Sequence, residues 1–174
     1  MATLAARNAC AGMAATLAAI QFTGTAARIV SVGDSRVYRF RDGQLTQLTV
    51  DHTLARRMVA SGDLTAEQAS QAGSLYQDLD SALIASESES AFDLHYGVSE
   101  TQPGDTWLVC TDGITQALTD IELAALTRGR QPSPPGRRAR AILDAALSVR
   151  DSDDNLSVIF VDVRAAGSDV VRVA

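Results

Sequence analysis

Gly104-Asp105-Thr106-Trp107-Leu108-Val109-Cys110-Thr111-Asp112-Gly113-Ile114-Thr115-Gln116-Ala117-Leu118 is the stretch on which the fold turns. Trp107 to Cys110 is a short apolar run bounded by Pro103-Gly104-Asp105 before and Asp112-Gly113 after. A brief apolar run between turn signals reads as a buried strand. The strand therefore ends on a carboxylate at the rim of a sheet, where a fixed oxygen ligand meets solvent. Thr119 stands three residues before Glu122, a capping-box pattern that starts a helix. Alone, Asp-Gly is an ordinary turn dipeptide, so the rest of the chain has to decide what Asp112 does.

The upstream half reads as strands. Ala15 to Phe22, Ala26 to Val32, Arg36 to Arg41 and Gln44 to Thr49 are separated by Thr23-Gly24-Thr25, Gly33-Asp34-Ser35 and Asp42-Gly43, the last a strong hairpin turn. Together they predict a four-stranded antiparallel meander. Within it Val37, Tyr38 and Phe40 form the apolar set of a half-buried strand, with Tyr38 out of phase. Thr53 to Ala60 and Thr65 to Ala72 are helical stretches parted by Gly62. Residues 74–90 have no clean period. Phe92 to Val98 alternates like a strand. Arg128 to Gly136, with three of the four prolines, reads as a loop. Arg137 to Val149 places Ala139, Ile142, Leu143, Ala146 and Leu147 on one helical face, and Leu156 to Val163 is a last buried strand. Met1 to Ala11 favours a helix, and Val170 to Val173 an edge strand in a tail from 165. The sequence thus predicts one domain over residues 1–164, of α+β class, with two packed antiparallel sheets flanked by helices.

Composition narrows the function. The 174 residues carry a net charge of −6, which argues against nucleic acid as partner. Every basic residue is arginine, so lysine chemistry such as a Schiff base is excluded. Cys10 and Cys110 have no metal or redox spacing and read as small buried hydrophobes. No apolar run approaches the ~18 residues that span a bilayer, and the start is a poor signal peptide. A cytoplasmic setting with no membrane partner is the expectation.

Carboxylates recur at segment ends: Asp51-His52 after the fourth strand, Asp112 after the Trp107 strand, and Asp151-Ser152-Asp153-Asp154-Asn155 before the last strand. Hard oxygen donors of this kind suit Mg²⁺ or Mn²⁺, and there is no cysteine-histidine set for zinc. Val32-Gly33-Asp34-Ser35-Arg36, Asp51-His52, Cys110-Thr111-Asp112-Gly113-Ile114-Thr115 and Asp154-Asn155-Leu156-Ser157-Val158 follow one another in that order. This series resembles the metal-dependent serine/threonine protein phosphatases, the PPM or type 2C family. Gly12-Met13-Ala14-Ala15-Thr16-Leu17 is similar to that family's Gly-Met-Gly-Thr-Thr-Leu, and the resemblance runs from about Gly12 to Val163.

The resemblance implies a sandwich of two antiparallel sheets with two Mg²⁺ or Mn²⁺ ions at one end, hydrolysing phosphoserine and phosphothreonine in proteins. It matches Asp112 and Asp154 to metal-ligating aspartates, and Asp51 to the aspartate that helps hold a third ion. Asp34 and Arg36 match positions read as structural, a polar pair bracing a tight turn, with Gly113 and Asn155 beside the ligands. Asp112 and Asp154 are expected close together. Residues 53 to 90 correspond to the helical flap beside the site. The family's opening strands, with their Asp-Gly-x-Gly-Gly motif, have no equivalent before Gly12, and Gln116 stands where many bacterial relatives have aspartate. The expectation is an amino-terminally truncated domain with weak metal binding and little activity by itself, whose open sheet edge favours self-association. The alternative is a pseudophosphatase that binds a phosphoprotein, or a serine/threonine kinase or its targets, without turnover.

Overall fold

A computed structural model describes residues 14–71, 80–84, 93–129, 134–149 and 155–165. In chain order its strands are β1 (Ala14–Ala15), β2 (Leu17–Thr23), β3 (Ala26–Val32), β4 (Arg36–Arg41), β5 (Gln44–Gln47), β6 (Leu83–Ile84), β7 (His95–Glu100), β8 (Thr106–Cys110) and β9 (Val158–Asp162). Helices α1 (Leu54–Ser61) and α2 (Ala66–Gln71) follow β5, while α3 (Asp112–Ala117), α4 (Asp120–Arg128) and α5 (Pro135–Val149) lie between β8 and β9. The expected helix at Met1 to Ala11, the tail strand at Val170 to Val173 and Cys10 fall outside the described residues.

The strands form two antiparallel sheets, ordered β2-β3-β7 and β5-β4-β8-β9, with β1 and β6 as a small separate pair. The α+β sandwich is as expected, but the continuous meander is not. The chain leaves one sheet at Gly33-Asp34-Ser35 and enters the other, so the four upstream strands are two hairpins in different layers. Short links cannot distinguish a meander from a change of sheet, because both need only a turn.

Strands β4 and β8 are buried on both faces. Val37 and Trp107 face the three-stranded sheet and pack with Ala27 and Ile29. Tyr38, Leu108, Cys110 and Phe160 face the other way, against Ile114 of α3, Leu123 of α4, and Ile142 and Ala146 of α5. The out-of-phase Tyr38 is therefore a residue of the second core. Trp107 is fully buried; its Nε1 donates to Thr101 Oγ1 at 3.2 Å, and the ring meets Phe22 edge-on at 5.4 Å.

Helix boundaries show one gain and two corrections. The capping box at Thr119 and Glu122 is present with both hydrogen bonds. Helix α5 begins at Pro135, inside the expected loop, because proline is favoured at a first helical position where no N–H is needed. Leu147, assigned to the buried face, is 61% exposed, since the core it would reach ends at Ala146.

The end of the four-stranded sheet at Arg41, Thr106 and Asp162 is closed by ion pairs. Arg41 grips Asp105 through Nε and Nη2 at 2.6 and 2.7 Å. Arg138 of α5, 4% exposed, grips Asp162 of β9 and also donates to Thr106 Oγ1 and the Thr127 carbonyl, with its guanidinium 5.2 Å from the Phe160 ring centre. Against the cost of its own burial, the hydrogen bond from Arg41 holds the Asp105 carboxyl below its usual range.

Trp107 fills the space between the sheets, so Trp107→Ala is expected to cost about 3–5 kcal/mol, the usual range for emptying such a site. Chemical denaturation reads this directly, and a loss below about 1 kcal/mol would mean that the sheets do not pack through Trp107.

Candidate functional site

The opposite end of that sheet, where β4 begins and β8 stops, opens into a cleft of about 400 Å³ lined by Asp34, Arg36, Asp51, Thr53, Asp112, Thr115 and Gln116. Three carboxylates separated by up to 78 residues of sequence thus share one wall system. They meet because antiparallel pairing places Arg36 opposite Cys110, so the turn before β4 and the turn after β8 rise from the same edge.

Asp112 does not stand in a bare turn. It opens the short helix α3, whose extended preceding residue is Thr111. Helical spacing then puts Thr115 and Gln116 on Asp112's side. Gln116 Nε2 donates to Asp112 Oδ2 at 2.7 Å and fixes the carboxylate. Gly113, directly behind it, is buried.

Asp51 is held differently. Arg36 donates to both of its oxygens, from Nε at 3.1 and 2.9 Å and from Nη2 at 2.6 Å, and Gln47 Nε2 adds a bond of 2.8 Å. The remaining Arg36 nitrogen reaches the Tyr38 hydroxyl at 2.9 Å, which in turn donates to Asp120 Oδ1 at 3.0 Å. Burial alone would favour a neutral Arg36, but these bonds to Asp51 keep its pKa above the ordinary arginine value. Burial also pushes up the Tyr38 hydroxyl and raises the Cys110 thiol to about 12, which keeps that cysteine protonated.

Asp34 is the carboxylate left over. The expected bracing pair with Arg36 does not form, because the guanidinium is committed to Asp51 and Tyr38. Burial first, and the nearby charge of Asp112 second, raise the Asp34 carboxyl from 3.8 to about 6. Two half-buried carboxylates facing one cleft repel each other, and a cation between them relieves that repulsion.

Asp154 lies outside the described residues. Its chain neighbour Asn155 is described and exposed. The Asn155 carbonyl accepts from Thr111 Oγ1 at 3.4 Å, and Thr111 N donates to the Ser157 carbonyl at 3.1 Å. The segment that follows Asp154 is thus stitched to the residue that precedes Asp112.

The donors lining the cleft are all oxygens: carboxylates, threonine hydroxyls and one amide. That set suits Mg²⁺ or Mn²⁺ rather than zinc or copper. Among the described residues no three His, Cys, Asp or Glu side chains converge tightly enough to hold an ion unaided. The fit is to a hard cation that keeps several of its waters, which is the habit of Mg²⁺. Sequence reasoning passed over Gln47, Tyr38, Thr53 and Asp120. Thr115 and Gln116 stood out in the sequence as part of, and next to, the Asp112 motif, but that both turn to Asp112's side follows only from α3 being a helix that begins at Asp112.

Comparison with known proteins agrees with this architecture. The protein phosphatase 2C family model matches residues 2–148, and the chain belongs to that family. It is 32% identical over 152 residues to the serine/threonine protein phosphatase PstP of Mycobacterium tuberculosis, covering 87% of this chain and 28% of that protein. A Listeria monocytogenes serine/threonine phosphatase is 28% identical over 87% of this chain and 57% of its own length. Among solved structures, M. tuberculosis PstP superposes with a TM-score of 0.77 at 30% identity, over 88% of this chain and 62% of that one. The PstP catalytic domain in complex with two manganese ions gives 0.70 at 30% identity, over 88% and 60%. The chain therefore spans less than two thirds of each of these relatives. Among the described residues no helix is long and apolar enough to cross a membrane.

A raised carboxyl pKa has a defined consequence. Between about 3.8 and 6 the folded chain binds more protons at Asp34 than the unfolded chain does, so stability present below pH 4 is lost as pH climbs through 6. In EDTA, Asp34→Asn should flatten this fall between pH 4.5 and 7.5. Parallel urea midpoints for parent and variant across that range would contradict the placement of Asp34.

Proposed function

We propose that this chain is the metal-dependent catalytic unit of a protein serine/threonine phosphatase, with phosphorylated proteins as substrates. One observation carries the reading: Asp34, Asp51 and Asp112 are brought to a single cleft by the β4–β8 pairing, where the groups able to ligate a cation offer oxygen. The PstP catalytic domain, which superposes on this chain, is described in complex with two manganese ions. We assign Mg²⁺ or Mn²⁺ as cofactor on these two grounds.

Asp112 and Asp34 would hold the cation, with Asp154, which lies outside the described residues, as the further ligand that the family resemblance implies. Bound there, the metal supplies acidification of an attacking water and neutralisation of phosphoryl charge. The protein's own residues do the rest. Gln116 keeps one Asp112 oxygen turned in a fixed direction. Arg36 and Gln47 hold Asp51 in a fixed orientation on the cleft wall, where it could accept a hydrogen bond from a group bound in the cleft. Thr53, whose hydroxyl accepts from the Arg56 N–H and keeps its own proton, would offer it to a phosphate oxygen from the cleft wall, while Thr115 donates its proton to the Asp112 carbonyl.

Release of phosphate from a phosphothreonine peptide should require Mn²⁺ or Mg²⁺, and Asp112→Asn should lower the rate by about 100-fold or more. Equal turnover in EDTA, or an Asp112→Asn protein as active as the parent, would overturn the reading. A catalytically silent protein that binds phosphopeptide with Mn²⁺ would favour the non-hydrolytic alternative.

Self-association rests on the sheet edge. Strand β2 pairs only with β3 among the described residues, and Leu17 and Phe22 are each 39% exposed along it. An unpaired edge with apolar side chains is a template for a second strand. Light scattering after size exclusion should report a species heavier than one chain of 18.3 kDa, and a clean monomer would remove this proposal.

A further inference from the structure

Arg36 stands between two partners, and the second does not line the cleft. Its Nε and Nη2 make the side-on pair with Asp51, which uses one edge of the guanidinium fork. Its Nη1 donates to the Tyr38 hydroxyl at 2.9 Å, and that hydroxyl donates to Asp120 Oδ1 at 3.0 Å. The phenol therefore has its one proton and an accepting lone pair both in use. Arg36 and Tyr38 are two apart on β4, so the alternation of a strand puts them on one face. Tyr38 is 1% exposed and packed in the core beneath the helices with Leu108 and Ile114, so its hydroxyl cannot follow a moving arginine. Asp120 is the first residue of α4, whose start is fixed by the capping box of Thr119 and Glu122. Asp34 competes for the same guanidinium. It lines the same cleft and is close enough for the charge of Arg36 to act on it, yet every Arg36 nitrogen is committed elsewhere.

We propose that Tyr38 is the positioning residue for the arginine of this cleft: its hydroxyl, held by Asp120, takes Nη1 of Arg36 and so keeps the guanidinium on Asp51 and off Asp34. This rests on the metal-dependent reading above. Tyr38 touches neither a bound ion nor a phosphate. It acts through Arg36, as outer groups act through the residues they orient. Removing the hydroxyl leaves Nη1 without an acceptor in a part-buried place, which favours rotation of the fork toward the unpaired Asp34. An arginine on Asp34 would bring a fixed positive charge to the place where the cation belongs, and the two would exclude each other. The buried phenol is thus what keeps the cleft acidic.

The test is Mn²⁺ binding by the 174-residue chain, followed as loss of the paramagnetic resonance signal of free Mn²⁺. Tyr38→Phe keeps the buried ring and should weaken binding about tenfold. Asp120→Ala, at an exposed position, leaves the hydroxyl bonded to Arg36 but takes away its acceptor, and should weaken binding about threefold. Asp120→Asn keeps an accepting oxygen there and should stay within about twofold of the parent. Tyr38→Phe combined with Asp120→Ala should bind no more weakly than Tyr38→Phe alone, because both act through one chain of bonds. Spectra of the metal-free chain give a second readout, which a tyrosine that only fills the core would not move. The Arg36 Nη protons should be distinct in the parent and should merge in Tyr38→Phe. Parent-like affinity in Tyr38→Phe, additive losses in the double variant, or Arg36 Nη protons that Tyr38→Phe leaves unchanged would overturn the proposal while leaving the metal-dependent reading intact. A parent chain that binds no Mn²⁺ at millimolar concentration would bring down both.

Discussion

Burial of β4 and β8 on both faces is the constraint from which the rest follows. A strand with only one covered face can present polar residues to water along its length. In these two the central pairs Val37-Tyr38 and Trp107-Leu108 are apolar or aromatic on both faces, and the charge that β4 carries at mid-strand, Arg39, is used in a hydrogen bond to Ser99 Oγ. Polar chemistry is therefore driven to the strand ends. At one end the carboxylates are neutralised by arginines: Asp105 by Arg41 and Asp162 by Arg138. At the other, one carboxylate is neutralised, Asp51 by Arg36, and Asp34 and Asp112 are not. The same sheet thus carries an end whose carboxylates are paired with arginines and an end where two carboxylates are not.

Arginine placement separates the two ends more sharply than the distribution of acids. Arg138 lies under Phe160 and reaches four acceptors across α4, β8 and β9. Leaving such a group unpaired would be costly, because a buried charge without a partner is one of the most destabilising features a fold can carry. Arg36 is equally committed, but to a carboxylate on the cleft wall. It sets the shape of the open end while contributing little free positive charge to it.

Much of this was legible in the residues. The Trp107 strand, the Asp42-Gly43 hairpin, the Thr119 cap and the two-sheet class followed from apolar period and turn chemistry. The ordered motifs indicated a shared site before any geometry was known, with Asp51, Asp112 and Asp154 as its expected ligands and Asp34 as a structural neighbour only. What escaped reading was non-local. Tyr38 broke the strand's phase because it serves a second core made by helices 70 or more residues away, and no local pattern encodes that. The change of sheet at Gly33 escaped because a turn of this length serves a hairpin and a crossing equally well. Arg36 was paired with its nearest acid in sequence, Asp34, while the fold offers it Asp51, where two oxygens match the guanidinium fork.

The pairing of Arg36 with Cys110 joins positions about 70 residues apart. Such contacts are made late, since the chain must lose the entropy of a long loop before any pairing energy is recovered. The hairpin of β4 and β5 can close by itself and carries Asp34 and Asp51 at its ends, but Asp112 arrives only when β8 docks. During synthesis the first half of the cleft is therefore exposed, acidic and incomplete until β8 has been made and has docked. A chain arrested before that point would hold carboxylates in place with nothing opposite them, so capacity for a divalent ion becomes a late reporter of correct folding.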